Sequence, residues 1–81
     1  MSVKEIGQSI KSRRKALRIT QPDLAQLAKV GVNTLYKIER GQANPTIDII
    51  EKITTVLGLE IKIGAKELTM YNQNNEKIAI E

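Results

Sequence analysis

The sequence contains no cysteine and no histidine. Their absence excludes disulfide frameworks, zinc fingers, cysteine-held clusters and every Cys–His or Ser–His nucleophile arrangement. It also fits a reducing compartment. Phenylalanine and tryptophan are missing too, and two tyrosines are the only aromatic residues, so the core must be aliphatic. No apolar run approaches the roughly 20 residues that span a bilayer, and the first residues lack the basic-then-apolar layout of a secretory leader. Without His or Cys, a catalyst would need Lys, Tyr or carboxylates gathered in a pocket, for which 81 residues leave little room. The expectation is a cytoplasmic protein that is not an enzyme, holds no cofactor or metal, and does not enter a membrane.

What is present suffices for one small folded domain, with 41% hydrophobic and 27% charged residues. A chain this short buries only roughly 60–65% of its unfolded surface, so pairing of two copies is an attractive source of further burial. The net charge of +4 is unevenly spread. Residues 1–41 hold nine Lys or Arg against three Asp or Glu, a net +6, whereas residues 42–81 hold four against six, a net −2. The basic first half suggests a polyanion as partner.

Helix signals dominate up to Gly58. Ser2 and Glu5 have capping-box spacing, and Val3, Ile6, Ile10 and Leu17 mark one face of a helix from about Val3 to Leu17. Arg14 falls on that stripe where an apolar residue is expected. Thr20 is a good N-cap for a second helix running to about Ala28, with Pro22 and Asp23 in its first turn and Leu24, Leu27 and Ala28 as its buried side. A third helix covers about Val32 to Arg40 and stops at Gly41. Asn44, Pro45 and Thr46 make a turn, with Thr46 capping a fourth helix that buries Ile49, Ile50, Ile53, Val56 and Leu57 and ends at Gly58. Beyond Gly58 the period becomes alternating. Leu59, Ile61 and Ile63 form one side of a strand; Leu68 and Met70, then Ile78 and Ile80, flank a polar turn at Asn72–Glu76. The fold class is mainly α with a small β appendage, divided into a helical unit over 1–58 and a β segment over 59–81.

Two short helices joined by three residues inside a basic half have helix-turn-helix spacing. On a wheel of about 100° per residue, Leu35 and Ile38 define the buried side of the third helix. Val32, Asn33, Tyr36, Lys37 and Arg40 fall opposite. That surface suits major-groove edges: Asn pairs with adenine, Lys donates to guanine, and Val contacts a thymine methyl. Gln21, at the first turn of the second helix, can meet a phosphate through its amide and nearby backbone N–H groups. Glu39 lies at the edge of the buried side of the third helix, facing the stripe interrupted by Arg14. The two should pair, because an unpaired buried charge is prohibitive. Lys11, Arg13 and Lys15 contribute field more than contact.

The stretches Ile19-Thr20-Gln21-Pro22-Asp23-Leu24-Ala25, Ile38-Glu39-Arg40-Gly41 and Asn44-Pro45-Thr46, with these helix spacings, resemble the Xre-type, lambda repressor-like helix-turn-helix family. The resemblance covers residues from about Ile6 to Leu59, and the strand after the last helix is similar to that of HipB-like antitoxins. It implies a four-to-five-helix DNA-binding domain with Val32, Asn33, Tyr36 and Lys37 on base edges. Gln21, Thr34, Arg40, Gln42 and Asn44 are then placed on phosphates, with plain turn initiation as the alternative role of Asn44. It further implies an Arg14–Glu39 pair linking the first and third helices. Lys29 departs from the pattern, standing where many members have a left-handed glycine; this costs roughly 1–2 kcal/mol or forces another turn geometry. Gly31, in place of a capping Ser or Thr, leaves one reading position blank.

The Leu59–Ile63 strand needs a cover: either a second copy, as in HipB-like proteins, or the chain's own 68–80 segment. The resemblance favours the second copy, a homodimer with Leu59, Ile61 and Ile63 at its interface, seated on a pseudo-palindromic operator in double-stranded DNA. The function expected is a transcriptional repressor that also serves as antitoxin to a HipA-like kinase toxin. The alternatives are a stand-alone regulator and a protein-interaction module.

Overall fold

A computed structural model describes residues 2–63, 68–74 and 76–78. It has four helices, α1 (Val3–Ala16), α2 (Gln21–Ala28), α3 (Val32–Glu39) and α4 (Ile47–Leu57), followed by strands β1 (Leu59–Ile63) and β2 (Leu68–Asn72). The helix starts are those the caps dictate. The hydroxyls of Ser2, Thr20 and Thr46 each accept from a backbone N–H three residues on, at Glu5, Asp23 and Ile49.

The helix ends explain how four helices fit so short a chain. After α3, Gly41 (φ 71°) donates to the Ile38 carbonyl and Gln42 to that of Lys37, the paired bonds of a Schellman closure. The same pair of bonds closes α1 around Arg18 and α2 around Lys29, each with φ 58°. The left-handed turn expected at Lys29 is therefore present, with lysine in it, and a second one occurs at Arg18, where no glycine announces it.

The core is an aliphatic cluster of Ile10, Leu24, Leu35, Ile38, Ile50, Ile53 and Leu57, completed by Leu59 and Met70 from the strands. Several expected core positions lie elsewhere. Leu27 is 61% exposed, and Val3 and Leu17 are also exposed; Ala25 takes the buried place on α2 instead. Leu27 adjoins Ala28 on a helix of only eight residues, too short for periodicity to separate its faces. Ile49 and Val56 are only partly buried. α1 crosses α3 at Gly7, where a Cβ would overlap the Ile38 carbonyl oxygen, so the two backbones touch.

β1 and β2 pair antiparallel, with Leu59 opposite Asn72, Ile61 opposite Met70 and Ile63 opposite Leu68. The chain's own segment thus covers one edge of β1. After β2 the chain turns at Asn72, whose Oδ1 accepts from the Asn74 and Glu76 N–H groups at 2.9 Å each. It comes back alongside, Ile78 donating to the Met70 carbonyl. Ile80, the last expected strand residue, lies outside the described residues.

Gly7→Ala is expected to destabilise the fold by about 2–3 kcal/mol, because separating α1 from α3 strains the whole helical layer; an unchanged denaturant midpoint contradicts the contact. Lys29→Gly and Arg18→Gly are each expected to stabilise by about 0.5–1 kcal/mol. Relief of the left-handed strain exceeds the added freedom of the unfolded chain. A lowered melting temperature for both contradicts this.

Candidate nucleic-acid interface

α2 and α3 are joined by Lys29, Val30 and Gly31. The left-handed Lys29 reverses the chain, Val30 packs against the core, and Gly31 caps α3 with no side-chain bond. α3 is sharply two-sided. Leu35, Ile38 and Glu39 are buried, while Val32, Asn33, Thr34, Tyr36 and Lys37 are exposed, as is Arg40 at its C-cap. The four residues expected on base edges therefore share one open surface. Gln42 and Asn44 are exposed in the loop that follows.

A buried ionic network holds this surface against the rest of the chain. Arg14 meets Glu39 through two parallel bonds, Nε to Oε2 at 2.7 Å and a terminal nitrogen to Oε1 at 2.9 Å. The side chains are 10% and 1% exposed. The other terminal nitrogen of Arg14 donates to the Ile19 carbonyl at 2.9 Å, fixing the turn between α1 and α2. Gln21 joins from α2, its amide Nε2 donating to Glu39 Oε1 at 2.9 Å. The expected pair is present, and it binds three helices rather than two.

The start of α2 is less open to anions than the sequence suggested. Pro22 has no N–H, and that of Asp23 is taken by Thr20 Oγ1 at 3.2 Å, leaving the backbone N–H of Gln21. Half-buried Gln21 also has one amide hydrogen committed to Glu39. Its remaining amide hydrogen and its backbone N–H are what it can offer a phosphate. Thr34 stands exposed in the first turn of α3.

Arg13 differs from the expectation of a field charge. Its Nε donates to the Leu57 carbonyl at 2.9 Å, capping the end of α4 from α1, a role fixed by a contact 44 positions away that no local spacing signals. Lys11, Lys15 and Arg18 are exposed and supply field. The Arg40 guanidinium lies over the Tyr36 ring, 5.3 Å from its centroid. Its sequence signal is the four-residue spacing of Tyr36 and Arg40, which puts both on one helix face. Leu59, expected at a dimer interface, is buried in the chain's own core, and Ile61 packs against that core; of Ile63 only the backbone pairing is described.

Comparison with known proteins matches residues 10–63 to the helix-turn-helix family HTH_3. The chain belongs to that family, of the lambda repressor-like kind. As a helix-turn-helix protein it is similar to the immunity repressor protein of Bacillus phage phi105, with 33% identity over 79 residues, covering 89% of this chain and 55% of the repressor. It is also similar to the HTH-type transcriptional regulator SinR of Bacillus subtilis, with 40% identity over 70 residues, covering 83% of this chain and 63% of SinR. The chain thus spans between half and two thirds of these relatives. Among solved structures, SinR in complex with DNA superposes with a TM-score of 0.61 and 43% identity, covering 64% of this chain and 84% of that one.

Because Glu39 is enclosed, Glu39→Ala strands the Arg14 guanidinium and removes the partner of Gln21. The helix-turn-helix unit is expected to lose about 3–5 kcal/mol of stability by chemical denaturation; a loss below about 1 kcal/mol means the pair is solvated and of little consequence.

Proposed function

We propose that this helix-turn-helix protein is a sequence-specific DNA-binding transcriptional repressor that acts as a homodimer. The observation that carries the reading is the two-sided α3. A short helix in the basic half shows Val32, Asn33, Tyr36 and Lys37 to solvent, while its other side is held rigidly by core and ion pair. Groove-edge recognition needs such a surface, offering an amide, an ammonium and a methyl cluster from one fixed helix. The phage repressor and SinR support the same reading, each by its own description. Gln21, Thr34, Gln42 and Asn44 surround the face and are assigned to the phosphate backbone.

Two features support two-fold assembly. Among the described residues β1 has a strand on one edge only, and β1 itself borders a surface hollow of about 500 Å³ lined partly by Ile47, Thr55, Glu60 and Ile61. Since Leu59 is spent on the chain's own core, the backbone edge of β1 and the side chains of Ile47 and Ile61 are what a second copy would meet. Two copies then present two α3 helices to the half-sites of a pseudo-palindrome. The strand after α4 is also the feature that supports a HipA-like kinase toxin as a further partner. The phage repressor and SinR, a repressor and a transcriptional regulator by name, favour the regulator acting without a toxin. The absence of any helix among the described residues long and apolar enough to cross a membrane is compatible with either.

Binding to duplex DNA should weaken linearly in a log–log plot against salt, with a slope set by the phosphates neutralised. Asn33→Ala and Lys37→Ala are expected to relax sequence preference, and Gln21→Ala to weaken all sequences alike. Equal weakening by all three contradicts the division of roles, and salt-independent binding contradicts DNA as the ligand. Sedimentation at micromolar concentration should give a dimer; a monomer contradicts the two-fold reading.

A further inference from the structure

Arg40 occupies the C-cap of α3 with near-helical backbone angles, φ −88° and ψ −2°. Side chains on a helix lean toward its N-terminus. The Arg40 side chain accordingly runs back one turn and sets its guanidinium over the ring of Tyr36, 5.3 Å from the centroid. The positive group therefore stands over Tyr36 on the exposed face, not beyond the C-terminal end of the helix. Continuing the wheel, Arg40 lies within about 30° of the direction opposite the buried Leu35–Ile38–Glu39 side, next to Asn33 and Lys37. Tyr36 is itself 47% exposed, so the stack is presented to solvent.

A phosphate contact needs a positive charge nearby but no fixed guanidinium plane. Guanine recognition does need one, because the two N–H groups of the arginine fork must align with O6 and N7 together. Stacking on an aromatic face supplies that restraint before binding and limits the freedom the side chain would otherwise lose. Gly31, at the N-cap of α3, has no side chain to read with, which leaves recognition to the residues that follow it.

Resting on the DNA-binding reading, we propose that Arg40 reads a guanine in the major groove and that Tyr36 is the residue that positions it. This moves Arg40 from the phosphate set to the base-reading set and gives Tyr36 a role through its ring rather than its hydroxyl.

The test is selection of bound duplexes from a randomised DNA pool, performed with the unaltered chain and with Arg40→Ala, Tyr36→Leu and Tyr36→Phe. The unaltered chain should select a guanine in each half-site. Arg40→Ala and Tyr36→Leu should reduce preference at that same position about tenfold or more, leaving other positions unchanged. Tyr36→Phe, which keeps the ring, should retain the preference. Circular dichroism should be unaltered throughout, since both residues are exposed. The proposal is overturned if Arg40→Ala weakens all sequences by one factor and lowers the salt slope by about one, the behaviour of a phosphate contact. It is equally overturned if Tyr36→Leu keeps the guanine or Tyr36→Phe loses it. Failure of the unaltered chain to retain any duplex overturns the DNA-binding reading itself, and with it this proposal, without recourse to a variant.

Discussion

The arrangement of this small domain depends on one buried contact, the forked pairing of Arg14 with Glu39. Two charges out of water do not make a domain stable in themselves; a well-packed apolar pair in their place is often as good or better. What they impose is geometry. A guanidinium and a carboxylate meeting through two parallel bonds tolerate little rotation, and here the other terminal nitrogen of Arg14 bonds the Ile19 carbonyl and Glu39 Oε1 accepts a second bond from Gln21. The network thereby ties α1, the turn at Ile19, the start of α2 and the end of α3 to one another. The aliphatic core supplies cohesion. The ion pair decides which face of α3 is left outside.

That contact in turn requires close helices. Gly7 lets α1 lie against the backbone of α3 at Ile38, one residue before Glu39, and the Schellman closures at Arg18 and Lys29 make the reversals tight enough to bring Gln21, at the start of α2, to Glu39. The strain held at Arg18 and Lys29 follows from using turns of four and three residues without glycine at the left-handed position. Both residues add to the basic character of the first half, so the sequence retains charge where glycine would give stability. Arg13, bonded to the end of α4, extends the same economy: a cation of the basic half also closes a helix of the acidic half.

Much of this was legible in the sequence because helix caps are local chemistry. Ser2, Thr20, Thr46, Gly41 and Gly58 mark boundaries within a residue or two of those observed, and the interruption of an apolar stripe by Arg14 pointed to a buried partner. Recognition of the face formed by Val32, Asn33, Tyr36 and Lys37 followed from the positions of Leu35 and Ile38 alone. The misplacements have a common physical origin. Leu17 and Leu27 are apolar residues on helices whose neighbours do not reach them, and exposure is a property of packing rather than of the residue. Gly7 is silent until the helix it touches is known, as is Arg13 until the end of α4 arrives beside it. Leu59 fitted an interface by its alternation with Ile61, yet its place just after the Gly58 turn folds it onto α4 and into the core. The restricted start of α2 could have been foreseen, since Pro22 carries no N–H and Thr20 claims the next.

The central claim is that the open side of α3, fixed from behind by the Arg14–Glu39 network, is the surface that meets DNA. Mapping backbone amide chemical shifts by NMR as duplex DNA is titrated in tests it most directly. The account predicts perturbations concentrated from Val32 to Asn44 and at Gln21, with the amides of β1 and the exposed side of α4 little changed by the DNA itself. Perturbations centred on α4 and β1, with α3 unaffected, would contradict it.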